Sequence, residues 1–258
     1  MIWERMTSPE IAAVDRATPI VLSLAAVEQH GPHLGVATDA VIGAHLLAAL
    51  EAARPDGVLL LPQVKVGCSE HHMDFAGTLT LTHATFMALV SDMVGAVVRQ
   101  GFRSIVLLNS HGGNQAVGAL LAETLGAAHP SCRIVFATWW RLAAEALAGI
   151  TEGGAGATGH ACEFETSLML AAAPADVRAD IIPARSGVET FAWAGGDMLA
   201  APAAAFYRTM AEQTGGTGVA GDPSLAGADK GRRITAAVTD ALARIVDDLA
   251  AAPPRGTA

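Results

Sequence analysis

The sequence predicts an α/β fold, a largely parallel sheet covered by helices on both faces, and three observations carry that prediction. Apolar runs of strand length, rich in Ile, Val and Leu, follow Pro19 and fill residues 104–109. Their apolarity is continuous rather than alternating, which marks strands buried on both faces. Stretches with helical spacing of apolar residues separate the strand candidates, and such alternation favours a parallel sheet. Of the 258 residues, 52% are hydrophobic and 16% charged, ample material for a doubly covered sheet.

Ser8-Pro9-Glu10 opens a short helix, with serine as N-cap, proline in the first turn and an acid near the positive helix end. It ends before Pro19. The first strand follows and runs out into Glu28, His30 and a Gly31-Pro32 turn. Residues 40–53 read as an Ala/Leu-rich helix stopped by Arg54-Pro55-Asp56-Gly57, and residues 58–66 as a strand interrupted by Pro62. A loop dense in polar groups, from Gly67 to His72, comes next. Phe86, Leu89, Val90, Met93, Val94 and Val97 set a helical pattern that closes at Gly101. The strand over 104–109 runs straight into Ser110-His111-Gly112-Gly113-Asn114, followed by a helix over 115–128 and a strand over 133–138. From Gly149 to Gly159 lies a long glycine-rich loop, and such loops are usually functional or mobile. Residues 184–231 are rich in Gly, Pro and Ala and read as loops with a short helix around 202–213. Ile234, Val238, Leu242, Ile245 and Leu249 share one face of a last helix over 231–250. No repeat or linker interrupts the chain, so one domain spanning 1–258 is expected.

The formal charge of -9 argues against nucleic acid and anionic membrane as partners, because both need a positive face. Three cysteines, Cys68, Cys132 and Cys162, imply no disulfide framework and point to a reducing compartment. Glu4, Glu10, Asp15 and Arg16 precede the first apolar run, unlike a signal peptide, and no apolar stretch is long enough to span a bilayer. A soluble, cytoplasmic protein is the expectation.

Chemistry-bearing residues concentrate where strands end, the place where open α/β sheets bind ligands. Glu28 and His30 are two apart and face the same way on extended backbone. Asp39 opens a helix, where it serves as a cap or turns back toward them. His111 lies beyond the buried strand, with Gly112 and Gly113 giving the backbone room for close approach. Alternatively, that segment is a plain strand-to-helix turn capped by Asn114. A third loop carries His160, Glu163 and Glu165; His160 and Glu163 are three apart, neighbours on one face if the segment is helical. Mixed histidine and carboxylate sets suit Zn²⁺, Mn²⁺ or Fe²⁺, and Asp39 is suited to bridge two ions.

These motifs together resemble the creatininase family of amidohydrolases. Glu28-Gln29-His30-Gly31-Pro32-His33, Thr38-Asp39, Ser110-His111-Gly112-Gly113-Asn114 and Gly159-His160-Ala161-Cys162-Glu163-Phe164-Glu165-Thr166-Ser167 carry the resemblance. So do Glu70-His71, Gly77-Thr78-Leu79, Gly221-Asp222-Pro223 and Lys230-Gly231, in order from residue 1 to about 250. The resemblance implies a three-layer α/β/α sandwich, a pair of divalent metals (Zn or Mn, sometimes Fe), cleavage of a small C–N bond and a homo-oligomer, often a hexamer. By position it implies Glu28, Asp39 and His111 on one metal, and His30, bridging Asp39 and Glu163 on the other, with His160 as acid/base group and Glu163 also counted as catalytic. Creatininase itself has a metal-binding glutamate where this chain has Gly113. Glu163 is therefore expected to supply that carboxylate, which places the chain nearer the formamide-hydrolysing and peptide-processing subgroups.

The reaction expected is attack by metal-activated water on the carbonyl of a small-molecule amide, with His160 protonating the leaving nitrogen. Three rivals stand beside it. One is a metallopeptidase of the same family. Another is a metal- or metabolite-binding homologue without turnover. The last takes Cys162 as a nucleophile paired with His160, although a free cysteine is more often a small buried hydrophobe. Trp139, Trp140, Phe191 and Trp193 are candidates for pocket walls or for core.

Overall fold

The computed structural model describes residues 1–255; residues 256–258, the end of the expected domain, lie outside the described residues. Four strands form the central sheet: β1 (Ile20–Leu24), β2 (Leu59–Leu60), β3 (Ser104–Asn109) and β4 (Arg133–Thr138). Their order is β2-β1-β3-β4, and every pair is parallel. Nine helices accompany them among the described residues: α1 (Ser8–Ala13), α2 (Thr38–Ala53), α3 (His83–Arg99), α4 (Gln115–Ala128), α5 (Trp139–Leu142), α6 (Ala144–Ala148), α7 (Glu163–Ala172), α8 (Met210–Thr214) and α9 (Ala228–Ala251). A small antiparallel pair, β5 (Thr158–His160) and β6 (Ala220–Gly221), stands apart from the sheet.

Side chains alternate across a strand, and here the alternation splits the core in two. Val21, Leu60, Val106 and Leu108 pack on one face with residues of α2, α5, α7 and α9. Ile20, Leu22, Leu59, Ile105 and Leu107 pack on the other with residues of α3 and α4. Helices thus cover both faces, the three-layer sandwich expected. No helix among the described residues is long and apolar enough to cross a membrane.

Departures from the expected elements have local causes. Glu10 accepts a hydrogen bond from the Thr7 backbone N–H at 2.6 Å, so Thr7, not Ser8, caps α1. The expected strand over 58–66 shrinks to Leu59–Leu60 plus a single bridge between Leu24 and Val64, because Pro62 offers no N–H to the ladder. The short helix expected around 202–213 forms only at Met210–Thr214, where Thr209 and Glu212 make a capping box.

Candidate metal centre

Parallel pairing brings the site together. Leu24 lies beside Asn109 in register, so the chains leaving β1 and β3 emerge together at the carboxyl end of the sheet. One delivers Glu28 and His30, the other His111. Side chains then fix the loops to one another. Asn109 donates to the His111 carbonyl at 2.7 Å and accepts from the His111 N–H at 3.1 Å. Ser110 Oγ donates to the Asp39 carbonyl at 2.8 Å. Asn114 accepts from the Cys68 N–H at 3.0 Å and donates to the Ala25 carbonyl at 3.1 Å. Its amide therefore ties three loops rather than capping α4.

Asp39 is the second residue of α2, and its two carboxylate oxygens face different partners. Oδ2 is 3.1 Å from His111 Nδ1, while Oδ1 is 3.4 Å from His30 Nε2. Glu28 Oε1 is 3.2 Å from His111 Nδ1, and Glu165 Oε1 is 3.9 Å from His30 Nε2. Glu28, Asp39 and His111 offer ligand atoms within 4.8 Å of one another, as do His30, His160 and Glu165. All of these side chains are buried.

Backbone carbonyls orient the rings. His30 Nδ1 lies 3.1 Å from the Glu28 carbonyl, His111 Nε2 3.1 Å from that of Cys68, and His160 Nε2 2.7 Å from that of Gln29. A carbonyl only accepts, so each of these nitrogens carries hydrogen and the other nitrogen faces the cluster. Metal-binding histidines are held in this way.

Charge in the cluster points to a cation. Burial favours a neutral His30 ring, but Asp39, then Glu165 and Glu28, outweigh it and push the imidazole up to about 9. His111 is likewise raised well above its ordinary value: burial opposes, and Glu28 and Asp39 prevail. Burial also works against charge on Glu28 and Asp39, yet His111 and His30 respectively keep both carboxyls low. Burial pushes Glu165 up to about 7. Glu28 Oε2 and Glu165 Oε2 are buried without a hydrogen-bond partner among the described residues. Buried polar atoms are rarely left so. Carboxylate oxygens and imidazole nitrogens converging with partnerless atoms fit a divalent ion such as Zn²⁺ or Mn²⁺.

Glu163, expected as a ligand and catalytic group, lies elsewhere. Its carboxylate accepts from Lys230 Nζ at 2.5 Å, the Glu152 N–H at 2.9 Å and Thr151 Oγ1 at 2.7 Å. The resemblance put Glu163 on the second metal in place of the carboxylate missing at Gly113, but α7 starts only at Glu163, after a left-handed Ala161 (φ 51°). Residues two apart on a helix diverge by about 200°, so Glu165 faces the cluster and Glu163 faces away. Gly113 leaves no room for a carboxylate either: a Cβ there would sit 2.2 Å from the Cys68 carbonyl oxygen and 2.4 Å from His111 Nε2.

Sequence reasoning missed the roles of His72 and Gln29. His72 Nε2 is 3.2 Å from Glu28 Oε1, and Gln29 Nε2 is 3.1 Å from His72 Nδ1. The only signal was the polar loop ending in Glu70-His71-His72. Cys162 is fully buried, and burial pushes its thiol far up, which removes it as a nucleophile. A cavity of about 200 Å³ over the cluster is lined by Trp140, His160, Met198 and Gln213. It shares Gly159, Gly196, Gln213 and Ala220 with a wider vestibule of about 870 Å³ walled by Phe191 and Phe206. Of the four aromatics singled out in the sequence, Trp139 is core, Trp140 and Phe191 line these cavities, and exposed Trp193 stacks on Phe191 at 5.2 Å.

The chain is 32% identical over 243 residues to the mycofactocin precursor peptide peptidase of Mycobacterium tuberculosis, covering 88% of this chain and 84% of that one. It is 28% identical over 177 residues to the creatinine amidohydrolase of Pseudomonas putida, covering 60% of this chain and 64% of that one. A solved creatinine amidohydrolase (creatininase) shares the fold with a TM-score of 0.80 at 21% identity over 98% of each chain. So does a mutant creatininase of Zn-Zn type, with a TM-score of 0.77 at 23% identity over 96% of this chain and 97% of that one. The sequence profile described as "Creatininase: Creatinine amidohydrolase" matches residues 4–246. The chain belongs to the creatininase family.

Proposed function

We propose that the protein is a metal-dependent hydrolase that cleaves a carbon–nitrogen bond of a small amide, cyclic amide or formamide. The observation that carries this reading is Asp39, whose two oxygens face His111 on one side and His30 on the other. Glu28, Asp39 and His111 would hold one divalent ion; His30, Glu165 and the second oxygen of Asp39 would hold another. Such ions supply Lewis acidity, which makes water nucleophilic at neutral pH and polarises a carbonyl.

The remaining work falls to side chains. His160 presents Nδ1 to the cluster, 3.7 Å from Glu28 Oε1, while its Nε2–H stays on the Gln29 carbonyl. Burial and the nearby His30 hold the ring down to about 3, so it rests neutral; in the proposed reaction Nδ1 would take a proton from the attacking water as that water bonds to the carbonyl carbon. It then returns that proton to the leaving nitrogen, which departs poorly as an amide anion. Trp140 and Met198 wall the cavity and limit water around the reacting group.

A metallopeptidase reading has specific support. The vestibule of about 870 Å³ leading to the cluster is larger than a small ring needs, and the 32% identical relative is a peptide peptidase. Phe191, Trp193 and Phe206 form an exposed aromatic cluster, which supports a homo-oligomeric assembly checkable by light scattering.

Metal analysis of the purified protein, followed by a screen of lactams, formamides and short peptides with and without chelator, tests the proposal. Hydrolysis lost on chelation and restored by Zn²⁺ or Mn²⁺ supports it. A metal-loaded protein inert toward the whole panel makes it a binding homologue instead.

A further inference from the structure

Glu163 leaves the metal cluster, yet it is wholly buried as a charged pair with Lys230, which is 6% exposed. The Glu163 carboxylate holds Thr151 and Glu152 of the glycine-rich loop. Lys230, in the first turn of α9, also donates to the Leu225 carbonyl at 2.5 Å and lies 3.2 Å from Glu152 Oε1. Behind the pair, Ser167 Oγ donates to the Glu163 carbonyl at 2.6 Å and accepts from the Gly227 N–H at 3.1 Å. A Cβ on Gly231 would fall 2.0 Å from the Ser167 carbonyl oxygen, so α7 and α9 touch backbone to backbone here.

One turn depends on this anchorage. Between His160 and Glu163 the chain passes through Ala161 at φ 51°, buried and left-handed without being glycine. Such a conformation persists only where its surroundings impose it. On one side of it His160 points Nδ1 at the cluster; on the other α7 begins, carrying Glu165 toward His30. A buried ion pair is poor evidence for stability in itself, and specifying one arrangement is the better-attested use.

We propose that Glu163 and Lys230 are positioning residues: their buried pair imposes the left-handed turn at Ala161 and thereby sets Glu165 and His160 at the second metal position. This rests on the two-metal reading above.

Co²⁺ titration, followed by its visible absorption, tests the proposal on metal-free wild type, Glu163→Gln, Lys230→Met, Lys230→Arg and Lys230→Met combined with Ala161→Gly. Circular dichroism and thermal unfolding report the fold. Glu163→Gln keeps the shape of the carboxylate and decides the matter if Lys230→Met does not fold. The first equivalent should bind as in wild type, while the second binds about 10–100-fold more weakly with an altered spectrum, the scale for losing an outer support of a ligand. Lys230→Arg should recover part of the loss. Glycine adopts the left-handed turn unaided, so Ala161→Gly should restore second-site affinity to Lys230→Met. Folded variants with both equivalents unchanged, or both weakened alike, overturn the proposal while leaving the two-metal reading intact. A wild type that binds one Co²⁺ overturns both.

Discussion

Asp39 and His160 are the residues whose substitution separates metal binding from proton transfer. Asp39 faces two histidines with two oxygens, so Asp39→Ala should empty both metal positions, whereas His30→Ala should empty mainly one. Elemental analysis after dialysis checks this, and equal occupancy in wild type and Asp39→Ala would reduce Asp39 to a first-turn acid of α2 worth about 0.3–1 kcal/mol. His160 makes the sharper case. If it carries protons, His160→Ala should keep fold and metal and lose about 10²–10⁴-fold in turnover, less for substrates whose leaving group needs no proton. Its Nδ1 also lies within reach of a metal ligand position, and in that case metal leaves with the ring. Residue chemistry was legible in the sequence wherever the backbone was extended or the side chain stood alone in its loop, as for Glu28, His30 and His111. It was not legible at Glu163 and Glu165, since choosing between acids two apart requires knowing the residue at which a helix begins.

Elements explain that pattern of success. β1 and β3 form where continuous apolar runs place them, because burial on both faces leaves such runs no other use; β4, a half-buried edge strand, and α4 form where turn signals bound them. α7 begins at Glu163 because Ala161 takes a left-handed turn, and alanine gives no sign of doing so. His72 escaped notice for a related reason: it enters the centre on a single turn of 3-10 helix that has no sequence period. The turn over Gly112–Asn114 is the element most exposed to test. A Cβ at Gly113 meets the Cys68 carbonyl and the His111 ring at 2.2 and 2.4 Å, neither of which can move without disturbing the centre. Gly113→Ala should therefore cost about 1–3 kcal/mol by overpacking and displace His111. Urea unfolding measures the first effect and metal content the second; Gly112→Ala, with open space around its Cβ, is the control.

At the scale of the whole molecule, buried carboxylates and histidines gather beyond the carboxyl ends of the central strands, and their protonation couples metal to stability. Burial opposes charge on the His30 ring, but Asp39, Glu165 and Glu28 outweigh it and push the imidazole up from an ordinary 6.5 to about 9. In the metal-free protein a group raised in this way adds stability that is complete below pH 6.5 and lost as pH climbs through about 9. A metal ion takes the neutral ring and releases its proton, so the loaded protein should not share that loss. His111, also raised well above its ordinary value, releases a proton in the same way, and Glu165, raised to about 7, adds a further one below neutrality. Glu28 and Asp39, both lowered, are already ionised there and release none. Metal affinity should thus rise with pH across this window. Calorimetric titration of Mn²⁺ in buffers of different ionisation enthalpy should find more protons released near pH 6.5 than near pH 8.5. Loading should also stabilise by about 2.7 kcal/mol at free metal one hundred times Kd, so the gap in melting temperature between loaded and chelated protein should widen from pH 6.5 toward 9. A gap that stays constant, with no proton release at neutral pH, would mean that metal binds somewhere other than this cluster.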